Sequence, residues 1–215
     1  MELPHAVKVF LLDDHAIVRR GLQDLLQNKR DISVVGESSS AVKATDMILA
    51  LRPDVMLLDV HLPDGSGVTV CRQVRSVDPA IEALLLTAVD DEEALLSTVL
   101  AGADGYVLKE ASNLYLVGAI RRLALGEPLV DPETRQRLLD RLARLSDTAT
   151  GLTVREERTL AYIVDGLEGR RRREAPAAHE PELESEIPML IPKLVDELSR
   201  DEHSGSEPAT RRRRS

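Results

Sequence analysis

Charged residues follow two apolar runs in this sequence, at the point where each run ends. One aspartate ends the run Val55-Met-Leu-Leu-Asp59, and the run Val7–Leu12 leads into Asp13 and Asp14. A carboxylate at such a position can serve as a metal ligand, a nucleophile or a base. Two adjacent carboxylates repel each other unless a cation or a lysine neutralises them. The alternative for Asp59 is an aspartate that ends a strand and caps the next helix.

Two further apolar runs end in other polar groups. The run Ile81–Thr87 ends in a hydroxyl, and Tyr106-Val-Leu-Lys109 ends in an ammonium group. Each has a plain alternative, since Thr87 can cap a helix and Lys109 can be a surface charge. Acids, a hydroxyl and a cation that all follow apolar runs are difficult to explain separately, and together they indicate one functional site.

Helical patterns separate these apolar runs along the first part of the chain. In the first pattern, Val18, Leu22 and Leu25 recur at helical spacing. Strand and helix alternate five times, which predicts an α/β fold with a doubly wound five-stranded parallel sheet. The carboxyl ends of parallel strands share one edge, where open α/β sheets place their chemistry. His61-Leu-Pro-Asp-Gly65 is predicted to be the turn after the central strand.

The composition limits the class of protein. The chain has 215 residues with a net charge of −9, and no stretch is long or apolar enough to span a membrane. The N-terminus lacks the pattern of a signal peptide. The single cysteine, Cys71, excludes an internal disulfide and fits a reducing compartment. We therefore expect a cytoplasmic protein without a membrane partner.

The polar groups that end the runs, with Leu-Pro-Asp-Gly after the central aspartate, resemble a two-component receiver domain. Leu11-Leu-Asp-Asp-His-Ala-Ile-Val-Arg-Arg-Gly-Leu22 and Ala101-Gly-Ala-Asp-Gly-Tyr-Val-Leu-Lys109 are similar to the NarL/FixJ subfamily of response regulators. The resemblance covers residues 7–125 and implies a flavodoxin-like receiver at residues 1–125.

The resemblance implies a role for each acid. Asp59 would accept the phosphoryl group from a sensor histidine kinase. Asp13 and Asp14 would hold Mg²⁺ together with Asp59 and the backbone carbonyl of His61, with Asp14 the more direct ligand. No enzymatic activity is implied beyond Mg²⁺-dependent self-phosphorylation and dephosphorylation.

Three further residues would respond to the phosphoryl group. Lys109 would pair with one phosphoryl oxygen, and the hydroxyl of Thr87 would donate a hydrogen bond to another. If Thr87 moves toward the phosphoryl group, Tyr106 can turn inward and repack the neighbouring face, so Thr87 and Tyr106 are predicted to form the switch. The alternative for Tyr106 is an ordinary surface tyrosine.

Residues 126–150 are predicted to be a linker that contains an amphipathic helix. Asp131 is the expected cap and Pro132 lies in the first turn. One stripe of leucines would pack on a partner domain or on a second subunit of a homodimer: Leu138, Leu139, Leu142 and Leu145.

Residues 151–167 resemble the start of a LuxR-type helix-turn-helix domain, with Thr153 and Glu156 as a capping box. After Leu167 the pattern stops. Prolines and glutamates replace the expected recognition helix, although Met189–Leu194 is similar to its end. We therefore expect residues 168–215 to be a degenerate, largely disordered tail. A frameshift and a decayed domain both explain this change.

Two classes of function remain from the sequence. The first is a transcriptional response regulator whose output is DNA binding. The second is a receiver-only signalling module that acts through protein contacts or stores phosphoryl groups. A metal-dependent phosphohydrolase is a more distant third possibility, because the placement of Thr87 and Lys109 argues against a dedicated substrate pocket.

Overall fold

The computed structural model describes residues 5–88, 91–147, 151–172 and 180–204. The strands in this part of the chain are β1 (Val7–Leu12), β2 (Ile32–Ser38), β3 (Val55–Asp59), β4 (His61–Leu62), β5 (Gly65–Ser66), β6 (Glu82–Thr87) and β7 (Gly105–Leu108). The helices are α1 (Ala16–Gln27), α2 (Ala41–Leu51), α3 (Gly67–Val77), α4 (Asp91–Ala101), α5 (Asn113–Ala124), α6 (Pro132–Asp147), α7 (Val154–Arg172), α8 (Pro181–Glu184) and α9 (Ile187–Ser204).

The five longer strands form one parallel sheet in the order β2-β1-β3-β6-β7. The two short strands, β4 and β5, form an antiparallel hairpin directly after β3. The connections leave β1 in one direction toward β2 and in the other toward β3, so the crevice between the carboxyl ends of β1 and β3 is the switch point of the sheet. The predicted doubly wound α/β fold is confirmed.

Both faces of the sheet are buried, which explains the continuous apolar runs. Successive side chains of β1 point to opposite faces. Phe10 and Leu12 join the core on the side of α2, α3 and α4. Val9 and Leu11 join the core formed with α1 and α5. None of the helices in the described part of the chain has the length and apolar character needed to cross a bilayer.

The C-terminal helices extend the core on the α3–α4 side. Apolar side chains of α6, α7 and α9 belong to the same buried cluster as those of α3 and α4. Asp131 caps α6, because its carboxylate accepts hydrogen bonds from the amides of Glu133 at 3.2 Å and Thr134 at 2.8 Å. The predicted capping box is also present, since the carboxylate of Glu156 accepts from the amide of Thr153 at 2.8 Å.

A buried charge pair lies where α3, α7 and α8 meet. Arg72 of α3 is 4% exposed, and its Nε lies 3.9 Å from Oε1 of Glu184, which is also 4% exposed. The guanidinium of Arg72 donates to the carbonyl of Leu100 at 2.8 Å and lies 5.5 Å from the centroid of the Tyr162 ring. The hydroxyl of Tyr162 is hydrogen-bonded to Glu184 at 3.1 Å. The C-terminal helices therefore meet the receiver through charge as well as apolar contact.

The expectation of a largely disordered tail is wrong for residues 180–204, which contain α8 and α9, and α7 continues to Arg172. Pro188 lies in the first turn of α9, where a missing N–H costs little, whereas Pro192 lies inside the helix. An interior proline costs about 3 kcal/mol. Complete burial of one aliphatic side chain contributes about 1.5–3 kcal/mol, and α9 buries five: Ile187, Leu190, Ile191, Leu194 and Leu198. Residues 173–179 and 205–215 lie outside the described residues.

Candidate functional site

Asp59 lies at the end of the central strand β3 and is almost completely buried, with 2% exposure. Its Oδ2 accepts a hydrogen bond from Nζ of Lys109 at 2.5 Å, and its Oδ1 accepts from the amide of His61 at 3.2 Å. Lys109 directly follows β7, two strands away, and its side chain therefore reaches across the edge of the sheet. The side chain of His61 is exposed, so its contact with the site is through the backbone.

The acid pair after β1 meets Asp59 at the same edge. Asp13 is fully buried, and its Oδ2 lies 3.1 Å from Nζ of Lys109. The amide of His15 donates to Oδ1 of Asp13 at 2.7 Å, which bends the chain so that Asp14 also faces the cluster. Ligand atoms of Asp13, Asp14, His15 and Asp59 all lie within 4.8 Å of one another. The structure thus brings together all three predicted acids and the predicted lysine.

His15 is a neighbour of the site that the sequence interpretation missed. Its Nδ1 lies 2.8 Å from Oδ1 of Asp14 and 3.3 Å from Oδ1 of Asp13. The only signal in the sequence is its place directly after the acid pair, and an exposed histidine at that place is ambiguous. When protonated, its imidazole adds positive charge beside the acids; when neutral, Nδ1 can act as a ligand atom.

Burial and the neighbouring charges have opposite effects on the pKa values of Asp59 and Lys109. Burial is the largest effect on the pKa of Asp59 and raises it above its ordinary value; the hydrogen bond and charge of Lys109 counteract burial, and the charge of Asp13 adds to it. Burial alone would lower the pKa of Lys109. Its hydrogen bonds to Asp59 and Asp13 outweigh burial, so the pKa of Lys109 is raised. Lys109 therefore remains protonated between two carboxylates at neutral pH.

The acids offer ligand atoms that fit a divalent cation. Oδ2 of Asp13 and Oδ1 of Asp14 are buried, and the nitrogen atoms beside them in the described residues are Nζ of Lys109 at 3.1 Å and Nδ1 of His15 at 2.8 Å. Lys109 and His15 provide only partial charge compensation, since three carboxylates meet one lysine and an exposed imidazole. A few carboxylates with room for water and phosphoryl oxygens are the ligand set that Mg²⁺ prefers. The acidic cluster can therefore hold a cation of this class.

The turn after Asp59 is held by contacts that only the fold reveals. The hydroxyl of Ser66 donates to the carbonyl of Val60 at 2.8 Å and accepts from the amide of Val68 at 3.1 Å, which caps α3. Gly67 lies against the backbone of Asp59, where a Cβ would stand 2.2 Å from the carbonyl oxygen of Asp59. A side chain at position 67 would thus displace the strand end that carries Asp59.

Thr87 and Tyr106 lie on neighbouring strands with their side chains on one face of the sheet. Thr87 ends β6 and is buried, and its carbonyl accepts from the amide of Lys109 at 2.8 Å. Tyr106 pairs with Leu85, two residues before Thr87, so that all three side chains share one face. Leu85 belongs to the core on the α4 side, and Tyr106 packs against that core while lining a cavity of about 300 Å³.

Comparison with known proteins gives consistent matches. The family model described as the response regulator receiver domain matches residues 9–121. The DNA-binding transcriptional activator DevR/DosR of Mycobacterium tuberculosis is 38% identical over 191 residues, which are 87% of this chain and 88% of that protein. The response regulator protein VraR of Staphylococcus aureus is 32% identical over 160 residues, 74% of this chain and 77% of that protein.

A solved structure of a response regulator is also similar to this chain. The crystal structure of a LuxR-family two-component response regulator from Aurantimonas sp. SI85-9A1 superposes with a TM-score of 0.56 at 30% identity. The match covers 64% of this chain and 99% of that chain. The receiver family match at residues 9–121 includes the strand ends that form the acidic edge.

Proposed function

Because this chain belongs to the response regulators, with the NarL/FixJ type as its relatives, we propose that Asp59 accepts a phosphoryl group from a sensor histidine kinase. The observation that carries the proposal is the buried contact of Asp59 with Lys109 at 2.5 Å, beside Asp13. A carboxylate oxygen of Asp59 forms the new P–O bond as the P–N bond of the phosphohistidine breaks and the imidazole nitrogen takes up a proton. Lys109 favours the ionised, nucleophilic form of Asp59 against the effect of burial.

We propose that the cation is Mg²⁺, held by the carboxylates of Asp13, Asp14 and Asp59 and by the backbone carbonyl of His61. Bound Mg²⁺ would neutralise charge on the transferring phosphoryl group. The support is the convergence of three carboxylates on one edge and the buried oxygens of Asp13 and Asp14 that face it. The same centre would serve self-phosphorylation from small phosphodonors and the later dephosphorylation.

Lys109 and Thr87 are proposed to bind oxygens of the new phosphoryl group. The ammonium group of Lys109 already contacts Asp59 and can move its hydrogen bond to a phosphoryl oxygen. Thr87 follows Leu86, the residue that pairs with Asp59, so its hydroxyl lies one residue beyond the acid on the neighbouring strand. Its displacement toward the site would open space for Tyr106, whose side chain shares that face of the sheet.

The proposed output is regulation of transcription, because the relative DevR/DosR is a DNA-binding transcriptional activator. The output region is proposed to begin with α7, and the support is the capping box that Thr153 and Glu156 form at its start. In this proposal the chain acts in the cytoplasm with a kinase and DNA as partners, and a second copy of the chain can join through a homodimer.

A specific observation favours the receiver-only alternative. Helix α9 occupies the region where the recognition helix is expected, yet its apolar side packs on the receiver. Its exposed side carries both signs of charge, with Lys193, Asp196 and Arg200 in succession. A helix that reads bases must present a suitable surface to the major groove. In this alternative, the output is a protein contact or phosphoryl storage.

Labelling with acetyl phosphate tests the proposed chemistry. We expect the full chain to gain the mass of one phosphoryl group in the presence of Mg²⁺ and to gain little when the cation is chelated. Asp59→Asn should remain unlabelled. The matched control is Asp24→Asn, which changes an exposed aspartate of α1 that pairs with Arg20, and this variant should label normally. Equal labelling of Asp59→Asn and the wild type would contradict the proposal.

A further inference from the structure

The hairpin after Asp59 is anchored to α2 through its turn. Pro63 and Asp64 form the two-residue turn between β4 and β5. The Asp64 carboxylate reaches back to residues 24 and 23 positions earlier in the chain: Oδ2 accepts from the hydroxyl of Ser40 at 2.6 Å, and Oδ1 accepts from the amide of Ala41 at 3.0 Å. Asp64 therefore joins the tip of the hairpin to the first residues of α2.

This contact replaces the usual cap of α2. Ser40 is the N-cap residue, but its side chain makes no capping hydrogen bond to its own helix. Its hydroxyl instead donates to Asp64, and Asp64 supplies the acceptor for the first helical amide. A carboxylate at a helix N-terminus is favoured by the helix dipole as well as by the hydrogen bonds. The contact therefore stabilises both the Asp64 carboxylate and the N-terminus of α2 when the hairpin lies against the helix.

A second contact at the same place leaves no space between the two segments. Gly65 follows Asp64, and a Cβ at Gly65 would stand 2.9 Å from the Cβ of Ala41. At the other end of the hairpin, Ser66 is buried and donates to the carbonyl of Val60. The hairpin is thus held at its tip by Asp64 and at its base by Ser66.

The residue opposite Ser66, at the base of the hairpin, belongs to the candidate site. His61 pairs with Ser66 across the hairpin, and its amide donates to Oδ1 of Asp59 at 3.2 Å. A hairpin with two residue pairs is too short to hold its own conformation in water. The position of the His61 peptide at the acidic edge therefore depends on contacts outside the hairpin, and the Asp64 anchor is the polar one at its tip.

We propose that Asp64 is a positioning residue for the cation centre: by joining the hairpin to the start of α2, it keeps the His61 peptide in place to bind Mg²⁺. This inference rests on the proposed function, in which the carbonyl of His61 is a ligand. Asp64 itself is exposed and lies outside the group of ligand atoms. It acts through the hairpin, without contact with the cation.

The test measures Mg²⁺ binding by the full chain. Calorimetry gives the affinity, and the amide resonance of His61 in NMR spectra reports on the hairpin. Asp64→Ala should weaken Mg²⁺ binding by about two- to fivefold, the range expected for loss of a charge-assisted hydrogen bond at an exposed position, and should shift or broaden the His61 resonance. Asp64→Asn keeps one carbonyl acceptor and should restore most of the affinity. Ser40→Ala should weaken binding in the same direction, and its effect should not add to that of Asp64→Ala.

The matched control is Asp131→Ala, which removes an aspartate cap of the same type from α6, far along the chain from the site. This variant should bind Mg²⁺ like the wild type. Wild-type affinity in Asp64→Ala would overturn the inference, as would equal weakening by Asp131→Ala. If the wild type binds Mg²⁺ and is labelled on Asp59 but Asp64→Ala is unchanged, only this inference fails. If the wild type does not bind Mg²⁺, the proposed function fails and the inference fails with it.

Discussion

Replacing Glu184 by glutamine tests whether the buried charge pair holds the C-terminal helices on the receiver. The change removes the negative charge that faces Arg72 and leaves the arginine buried in the interface. Removing one partner of a buried pair costs about 3–5 kcal/mol. We expect the lower end, about 3 kcal/mol, because Nε and Oε1 are 3.9 Å apart and Arg72 keeps its hydrogen bond to Leu100. Arg72→Met should cost a similar amount.

The double variant Arg72→Met/Glu184→Leu separates the pair from its surroundings. Apolar residues of similar volume in place of a buried ion pair are often neutral or stabilising by about 1–4 kcal/mol. We therefore expect the double variant to recover most of the stability that either single change loses. Such a result would mean that the pair adds little net stability compared with apolar residues of similar volume.

Urea unfolding measures the total loss, and hydrogen exchange locates it. If Glu184→Gln weakens docking by about 3 kcal/mol, amides of α9 that exchange through local opening should exchange roughly a hundredfold faster. The exposed pair of Arg121 with Asp31 is the control, and Asp31→Asn should cost at most about 1 kcal/mol. Single variants of Arg72 and Glu184 that stay within about 0.5 kcal/mol of the wild type would refute the reasoning.

Three further predictions concern the switch, the pH dependence and the output. Thr87→Ala should leave labelling of the chain largely intact but abolish the change in amide exchange near Tyr106 that beryllofluoride causes; a full wild-type change in the variant would contradict the proposed switch. Burial, with the neighbouring Asp104, raises the pKa of Glu82 to about 8. The folded state therefore binds this proton more tightly than the unfolded state, so stability should fall as pH rises from the unfolded value of 4.5 to about 8, and Glu82→Gln should flatten the unfolding free energy over that window. Titration with DNA at near-physiological salt distinguishes the two proposed outputs. In the receiver-only alternative, the phosphorylated chain should not prefer a promoter-like duplex over a scrambled one, because α9 packs its apolar side on the receiver and carries both signs of charge on its exposed side. A preference of about a hundredfold or more would contradict that alternative and support the transcriptional output.

The sequence predicts the acidic edge well because the fold class alone determines where strand ends go. Once the apolar runs are assigned to parallel strands, the residues that follow them must meet at one edge. Asp13, Asp59 and Lys109 meet there in the structure. No pairing of side chains needs to be known in advance, because parallel strands place the carboxyl ends of β1, β3 and β7 at the same edge of the sheet.

The supporting contacts could not be predicted, because they join segments far apart in the sequence. Asp64 reaches Ser40 only when the hairpin lies on α2. Gly67 is recognisable only from the 2.2 Å that would separate its Cβ from the carbonyl of Asp59. His15 is in the sequence motif, but its contact with Asp14 depends on the bend after β1. Each contact is a consequence of tertiary packing.

The error in the tail has a different cause. The sequence interpretation gave Pro188 and Pro192 more weight than the apolar spacing around them. Ile187, Leu190 and Leu194 recur at helical intervals and are buried against the receiver. Local sequence patterns do not show that another part of the chain provides a surface for packing. Here, packing on the receiver stabilises α9 despite its prolines.

Chemical trapping of the phosphorylated chain tests the central claim most directly. The full chain is labelled with acetyl phosphate and Mg²⁺, reduced with sodium borohydride and mapped by peptide mass spectrometry. Reduction converts an aspartyl phosphate into homoserine, so the account predicts homoserine at position 59 in the peptide that carries β3. Homoserine at position 13, 14 or 64, or no homoserine at all, would contradict the claim that Asp59 is the phosphoacceptor.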